Sequence, residues 1–185
     1  MTADGKVINY QAMKVPCPHF EKLEQLARVT PGLDLDAVRS CVPLLYLHRE
    51  LDGALEQHYE AYGLSRGRWQ LLMQLYKAAP AEGLTPAQLA ELTGVTRAAI
   101  TGLVDSLAES GLVARGEVGE DRRTYRVQLT PQGTAFLAKH LPDHMGRMQR
   151  LMQALTPAER QAFVQMVEKL RKRVEVFRHA PAEAA

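Results

Sequence analysis

The sequence predicts a mainly α fold with a small β wing, and three observations carry that prediction. Thr93-Gly94-Val95 is a short glycine-containing turn between two helical stretches, the spacing of a helix-turn-helix. The helix that follows places Ile100, Leu103, Val104 and Leu107 at i, i+3, i+4 and i+7, one buried stripe. Its other face, formed by Arg97, Ala98, Thr101, Gly102 and Asp105, is small and polar, slim enough for a groove about 12 Å wide. Finally, Leu112-Val-Ala-Arg-Gly and Tyr125-Arg-Val-Gln-Leu129 flank Glu117-Val-Gly-Glu-Asp-Arg-Arg123. In the second run Tyr125, Val127 and Leu129 alternate with Arg126 and Gln128, the period of a half-buried strand. The result is a winged helix-turn-helix domain set among further helices.

Each element has a local reason. Pro16, Pro18 and Pro31 surround one short helical piece, Phe20–Ala27, so residues 1–35 read as an N-terminal extension with one short helix. From Asp36 to about Tyr62 runs a long helix with apolar positions at Val38, Cys41, Val42, Leu45, Leu51 and Leu55. Pro43 is expected to kink it or delay its regular part, because the ring clashes with the preceding turn and removes an amide donor. Ser65 caps a second helix carrying Trp69, Leu72, Met73 and Tyr76. Thr85-Pro86-Ala87-Gln88 is a capping box with proline at the first helical position, and it starts a third helix. Thr96 caps the fourth and Gly111 follows its end. After the wing, Thr130-Pro131 opens a fifth helix with an expected kink at Pro142. Thr156-Pro157-Ala158-Glu159 starts a sixth, with Phe163, Met166, Val167, Leu170, Val174 and Phe177 on one side. A tail, 180–185, ends the chain.

Composition narrows the function classes. The chain has 185 residues and is 46% hydrophobic, enough for a core. The 23 basic and 21 acidic residues leave a net charge of +2, too balanced to argue for nucleic acid or membrane by itself. Even in 96–126, the arginines at 97, 115, 122, 123 and 126 are matched by acids at 105, 109, 117, 120 and 121. Position must therefore matter more than sum. No apolar run spans a bilayer and no secretory layout opens the chain, so a cytoplasmic location without membrane contact is expected. Cys17 and Cys41 lack Cys-x-x-Cys spacing, and the histidines at 19, 48, 58, 140, 144 and 179 show no ligand spacing, which disfavours a metal site. No nucleophile and base stand at recognisable spacing and no phosphate-cradling loop occurs, so neither an enzyme nor a cofactor is expected.

The order of elements, with Asp121-Arg122-Arg123 followed by Leu129-Thr130-Pro-Gln-Gly133, resembles the MarR family of bacterial transcriptional regulators over roughly Asp36 to His179. That resemblance implies a homodimer on pseudo-palindromic double-stranded operator DNA. It implies that 36–62 and 130–179 form a helical dimerisation region and 63–129 the winged helix-turn-helix DNA-binding domain. The Thr96 helix would enter the major groove through Thr96, Arg97, Ala98 and Thr101. Arg123, aimed by Asp121, would enter the minor groove, with Arg122 near phosphate. Charge at a hairpin tip is ordinary, and the neighbouring helix-turn-helix is what turns Arg122 and Arg123 toward DNA.

The resemblance also implies a ligand cleft between the first two main helices and the dimer region. Trp69, Tyr46 and Met73 are residue types found more often in cores. In such a cleft they would form an apolar wall, with His48 and Arg68 as the polar groups, an arrangement suited to a small aromatic or phenolic carboxylate. The reading is therefore a repressor released by a small aromatic effector. Two alternatives stay open. Within the family one branch senses organic peroxides through a cysteine near the start of the first helix, the register of Cys41. Those sensors surround the thiol with tyrosines where Leu45 and Leu55 stand here, and apolar neighbours do not activate a thiol. The other alternative is a ligand-binding helical dimer that does not bind DNA.

Overall fold

The computed structural model describes residues 20–78, 83–117 and 125–178. The chain divides into two compact units, residues 1–73 and 74–185.

The first unit holds α1 (Phe20–Val29), α2 (Leu35–Glu60) and the start of α3 (Arg66–Lys77), which carries the chain into the second. Asp34 caps α2 by accepting from the Ala37 amide at 3.0 Å, satisfying one of the amides that a helix start leaves open. Glu24 of α1 and Arg39 of α2 pair at 2.6 Å, so the N-terminal helix is tied to the long one. Asp52 and Arg66 form a second ion pair between α2 and α3. Ser65 accepts from the Arg68 amide only at 3.5 Å, a long bond, so α3 starts with a weak cap. The unit's aromatic centre is Tyr59 stacked on Trp69, centroids 5.3 Å apart and planes 19° from parallel, with Tyr62 tilted against the same indole at 5.5 Å.

The second unit contains α4 (Pro86–Thr93), α5 (Arg97–Glu109), β1 (Val113–Glu117), β2 (Tyr125–Leu129), α6 (Pro131–Met152), α7 (Pro157–Arg171) and a 3-10 turn, Val174–Phe177. The Thr85–Gln88 capping box is closed in both directions, and Gly94 ends α4 at φ 72°, a left-handed conformation that costs glycine nothing. Leu89, Ile100, Val104, Leu107, Val127 and Leu137 are fully buried. Each stabilises the fold by about 1.5–3 kcal/mol. β1 and β2 pair antiparallel, with Val113 opposite Leu129 and Glu117 opposite Tyr125. Leu84 adds a single-residue bridge to the free edge of β2, exchanging two backbone hydrogen bonds of 2.8 and 2.9 Å with Val127.

The structure refines several sequence expectations. β1 starts at Val113, because the Leu112 amide still donates to the Leu107 carbonyl and its carbonyl accepts from Thr130. In β2 only Val127 is buried, while Tyr125 and Leu129 are half-buried like Arg126 and Gln128. The strict alternation fails because Arg126 folds back to donate to the Gly83 carbonyl at 3.2 Å, which screens its polar face. α2 and α6 each continue past their proline as one helical element, so Pro43 does not delay the regular part of α2. α7 stops at Arg171, so Val174 and Phe177 lie in the 3-10 turn and not on the α-helical stripe.

Candidate nucleic-acid interface

Thr96 accepts from the Ala99 amide at 3.2 Å and fixes the first turn of α5. Ile100, Val104 and Leu107 pin the helix to the core with no exposed surface. Arg97, Ala98, Ala99, Thr101 and Gly102 are left exposed on the outer side. Thr101 donates its hydroxyl to the Arg97 carbonyl at 3.1 Å, which leaves its oxygen lone pairs able to accept. At the helix C-terminus, Gly111 sits at φ 71° and turns the chain into β1. Arg115 of β1 pairs with Asp105 of α5, and its guanidinium lies 5.2 Å over the Tyr125 ring of β2. The structure thus brings the outer face of α5 and the base of the wing together. Asp121, Arg122 and Arg123, which the sequence assigns to the wing tip, fall outside the described residues.

The candidate effector residues all belong to the first unit. Trp69 is buried against Tyr59 and Tyr62, while Tyr46, Arg68 and Met73 are half-buried and His48 is exposed. Burial pushes the Tyr59 phenol above its ordinary value, with Glu56 adding to the effect. On α2 a shallow hollow of 260 Å³ is lined by Leu45, Tyr46 and Arg49, with the Arg49 guanidinium 4.9 Å over the Tyr46 ring. Of the five candidates, Tyr46 alone is a described lining residue of that hollow. Cys41, on the same helix, is half-buried. Among the described residues no cluster of three or more His, Cys, Asp or Glu is placed to hold a metal, and no helix is long and apolar enough to cross a membrane.

The model of the MarR family matches residues 62–124, the stretch that begins just after α2 and ends just before β2. The HTH-type transcriptional repressor YetL of Bacillus subtilis (strain 168) is 31% identical over 161 residues, covering 87% of this chain and 96% of that protein. The chain belongs to the MarR family of transcriptional regulators. A MarR/EmrR family regulator from Acinetobacter sp. ADP1 has the same fold, with a TM-score of 0.63 at 21% identity over 77% of this chain and 99% of its own. The MepR protein of S. aureus, in its DNA complex, superposes with a TM-score of 0.63 at 20% identity, covering 70% of this chain and 96% of its own. Family membership makes this MarR-family chain a transcriptional regulator and not an enzyme, and the solved structures show its mainly helical winged-helix fold.

Several of this regulator's structural residues were not singled out by sequence. Leu84 makes its bridge from a single residue between Gly83 and a capping box, too short to show a period. Asp105 and Arg115 were both visible as charges, but pairing them requires the turn at Gly111 to fold β1 back along α5. The Tyr59–Trp69 stack spans two helices joined at Gly63, and only the position of Trp69 in an apolar stripe hinted at it.

Proposed function

We propose that this MarR-family chain is a homodimeric repressor that reads a pseudo-palindromic operator and is released by a small aromatic or phenolic carboxylate. The observation that carries the DNA part is α5 itself. Ile100, Val104 and Leu107 bury one face, with Leu103 half-buried beside them, and the opposite face is capped at Thr96 and exposed at Arg97, Ala98 and Thr101, as a major-groove helix requires. On this reading 63–129 is the DNA-binding domain, 36–62 and 130–179 the dimerisation region, Arg123 the minor-groove contact held by Asp121, and Arg122 a phosphate contact. YetL, whose name calls it a repressor, supports the direction of regulation.

The effector part rests on the first unit's chemistry: an aromatic cluster around Trp69, with half-buried Arg68 and Tyr46 and exposed His48 on the same two helices. An effector shifts the DNA-binding equilibrium only through a difference in its affinity for the two states. A charge-assisted contact to Arg68 is worth roughly 1.5–3 kcal/mol. Titrating the protein–DNA complex with aromatic acids, using DNA from upstream of its own gene, tests both parts. Arg68→Ala is expected to leave DNA affinity intact and to cut effector potency about tenfold or more. Arg68→Ala and His48→Ala responding like wild type would place the pocket elsewhere. Release by peroxide with no response to acids would put Cys41 in the effector's place.

A further inference from the structure

We propose that Arg115 supports operator binding by cancelling the charge of Asp105, and not by contacting phosphate itself. On the reading of α5 as the recognition helix, the position of Asp105 is decisive. With about 3.6 residues per turn, Asp105, itself half-buried, falls between Thr101 and Ala98 around the helix axis, on the outer face. α5 carries a single cation, Arg97, against Asp105 and Glu109, so the helix is acidic on its own. Double-stranded DNA presents one negative charge per roughly 1.7 Å of its axis. A bare carboxylate on the approaching face would oppose that field. The structure supplies the cancelling charge from a different element. Arg115 reaches from β1 to Asp105, and the Tyr125 ring of β2 supports its guanidinium plane at 5.2 Å. Held between a carboxylate and a ring, the guanidinium sets its Nη2 against the Asp105 Oδ1. The side chains of Arg115 and Asp105 are 43% and 47% exposed, so the pair adds little to folding stability and acts chiefly on the surface potential.

The experiment uses a duplex selected by the full-length wild-type protein from a random-sequence pool. Affinity is measured for Arg115→Gln, Asp105→Asn, the double variant, Arg115→Lys, and Arg97→Ala as a control on α5, with thermal unfolding confirming that each variant is folded. Arg115→Gln is expected to bind about tenfold more weakly, equivalent to about 1.4 kcal/mol. Asp105→Asn/Arg115→Gln is expected to recover to within about threefold of wild type, because the charge needing cancellation is gone. Arg115→Lys should retain most of the affinity. A double variant as weak as Arg115→Gln, with a salt dependence shallower by about 0.9 in slope, would show direct phosphate contact and overturn the proposal. Wild-type affinity for Arg115→Gln would overturn it as well, while leaving the recognition-helix reading intact provided Arg97→Ala binds weakly. If the protein enriches no sequence, or Arg97→Ala also binds as wild type, the recognition-helix reading fails and takes this proposal with it.

Discussion

Thr130 and Gly133 show how much one residue can fix. The Thr130 hydroxyl accepts from the Gly133 amide at 2.9 Å, capping α6, and donates to the Gly111 carbonyl at 2.7 Å. Its own amide donates to the Leu112 carbonyl at 3.1 Å. Gly133 is buried against that carbonyl, and a Cβ there would overlap the Leu112 oxygen. Gly133→Ala is therefore expected to destabilise the fold by about 1–3 kcal/mol, as overpacking does. At this chain length that lowers the thermal midpoint by about 2–4 °C for each kcal/mol. Gly102 gives the opposite expectation, because it lies in α5 with open space around its missing Cβ. Gly102→Ala should stabilise by up to about 1 kcal/mol, the difference in helix propensity. Thermal unfolding of the two variants side by side checks both signs, and equal shifts would refute this account of the glycines. The sequence displayed Leu129, Thr130 and Gly133 as a spaced motif, and Thr130-Pro131 read correctly as a helix start. Why a glycine stands at 133 was not legible, since the reason is the carbonyl of Leu112 from a distant turn.

At the scale of elements, caps were the most legible feature because their chemistry is local. Thr85–Gln88 and Thr156–Glu159 both form closed capping boxes where the sequence placed them. Glu159 accepts from the Thr156 amide at 2.7 Å and from its hydroxyl at 2.8 Å, and the backbone bond foremost holds its carboxyl below its ordinary value of 4.5. With the folded value depressed, the capping contribution is complete above the ordinary value and is lost as pH falls through the folded one. Wild type should thus lose stability over that acidic range more steeply than Glu159→Gln, whose amide does not titrate there. Identical pH profiles in chemical unfolding would remove Glu159 from the cap. The wing was legible as a hairpin but not in its packing. The alternation in Tyr125–Leu129 was visible, whereas Leu84 on the outer edge and Arg126 folded onto Gly83 are non-local. For DNA binding, replacing Arg122 and Arg123 together by alanine is expected to weaken operator affinity and flatten its salt dependence, by about 0.9 in slope for each phosphate that is no longer neutralised. Unchanged affinity in a folded variant would refute the proposed wing contact.

For the whole molecule, the deciding feature is apolar surface left uncovered by the single chain. None of the residues of α7 is buried, and Phe163, Val164, Met166, Val167 and Leu170 are all exposed. On α2, Leu44, Leu45, Leu47 and Leu51 are exposed as well. Exposed apolar side chains in such number on one helix mark interaction surfaces on proteins that otherwise keep such side chains inside. The sequence showed both stripes, but no sequence pattern says what covers them. A twofold dimer covers identical surfaces with each other and sets two recognition helices about one DNA turn apart, roughly 34–36 Å. Linking two half-site contacts raises affinity by about 10²–10⁴ over one alone. Phe163→Glu/Leu170→Glu is therefore expected to turn a dimer into a monomer at micromolar concentration, measured by light scattering, and to lower operator affinity by at least about a hundredfold. The same variant should still bind a single half-site as weakly as the wild-type protein does, because α5 and the wing are untouched. A wild-type monomer would refute the twofold reading, and a variant that stays dimeric with full affinity would move the interface away from α7.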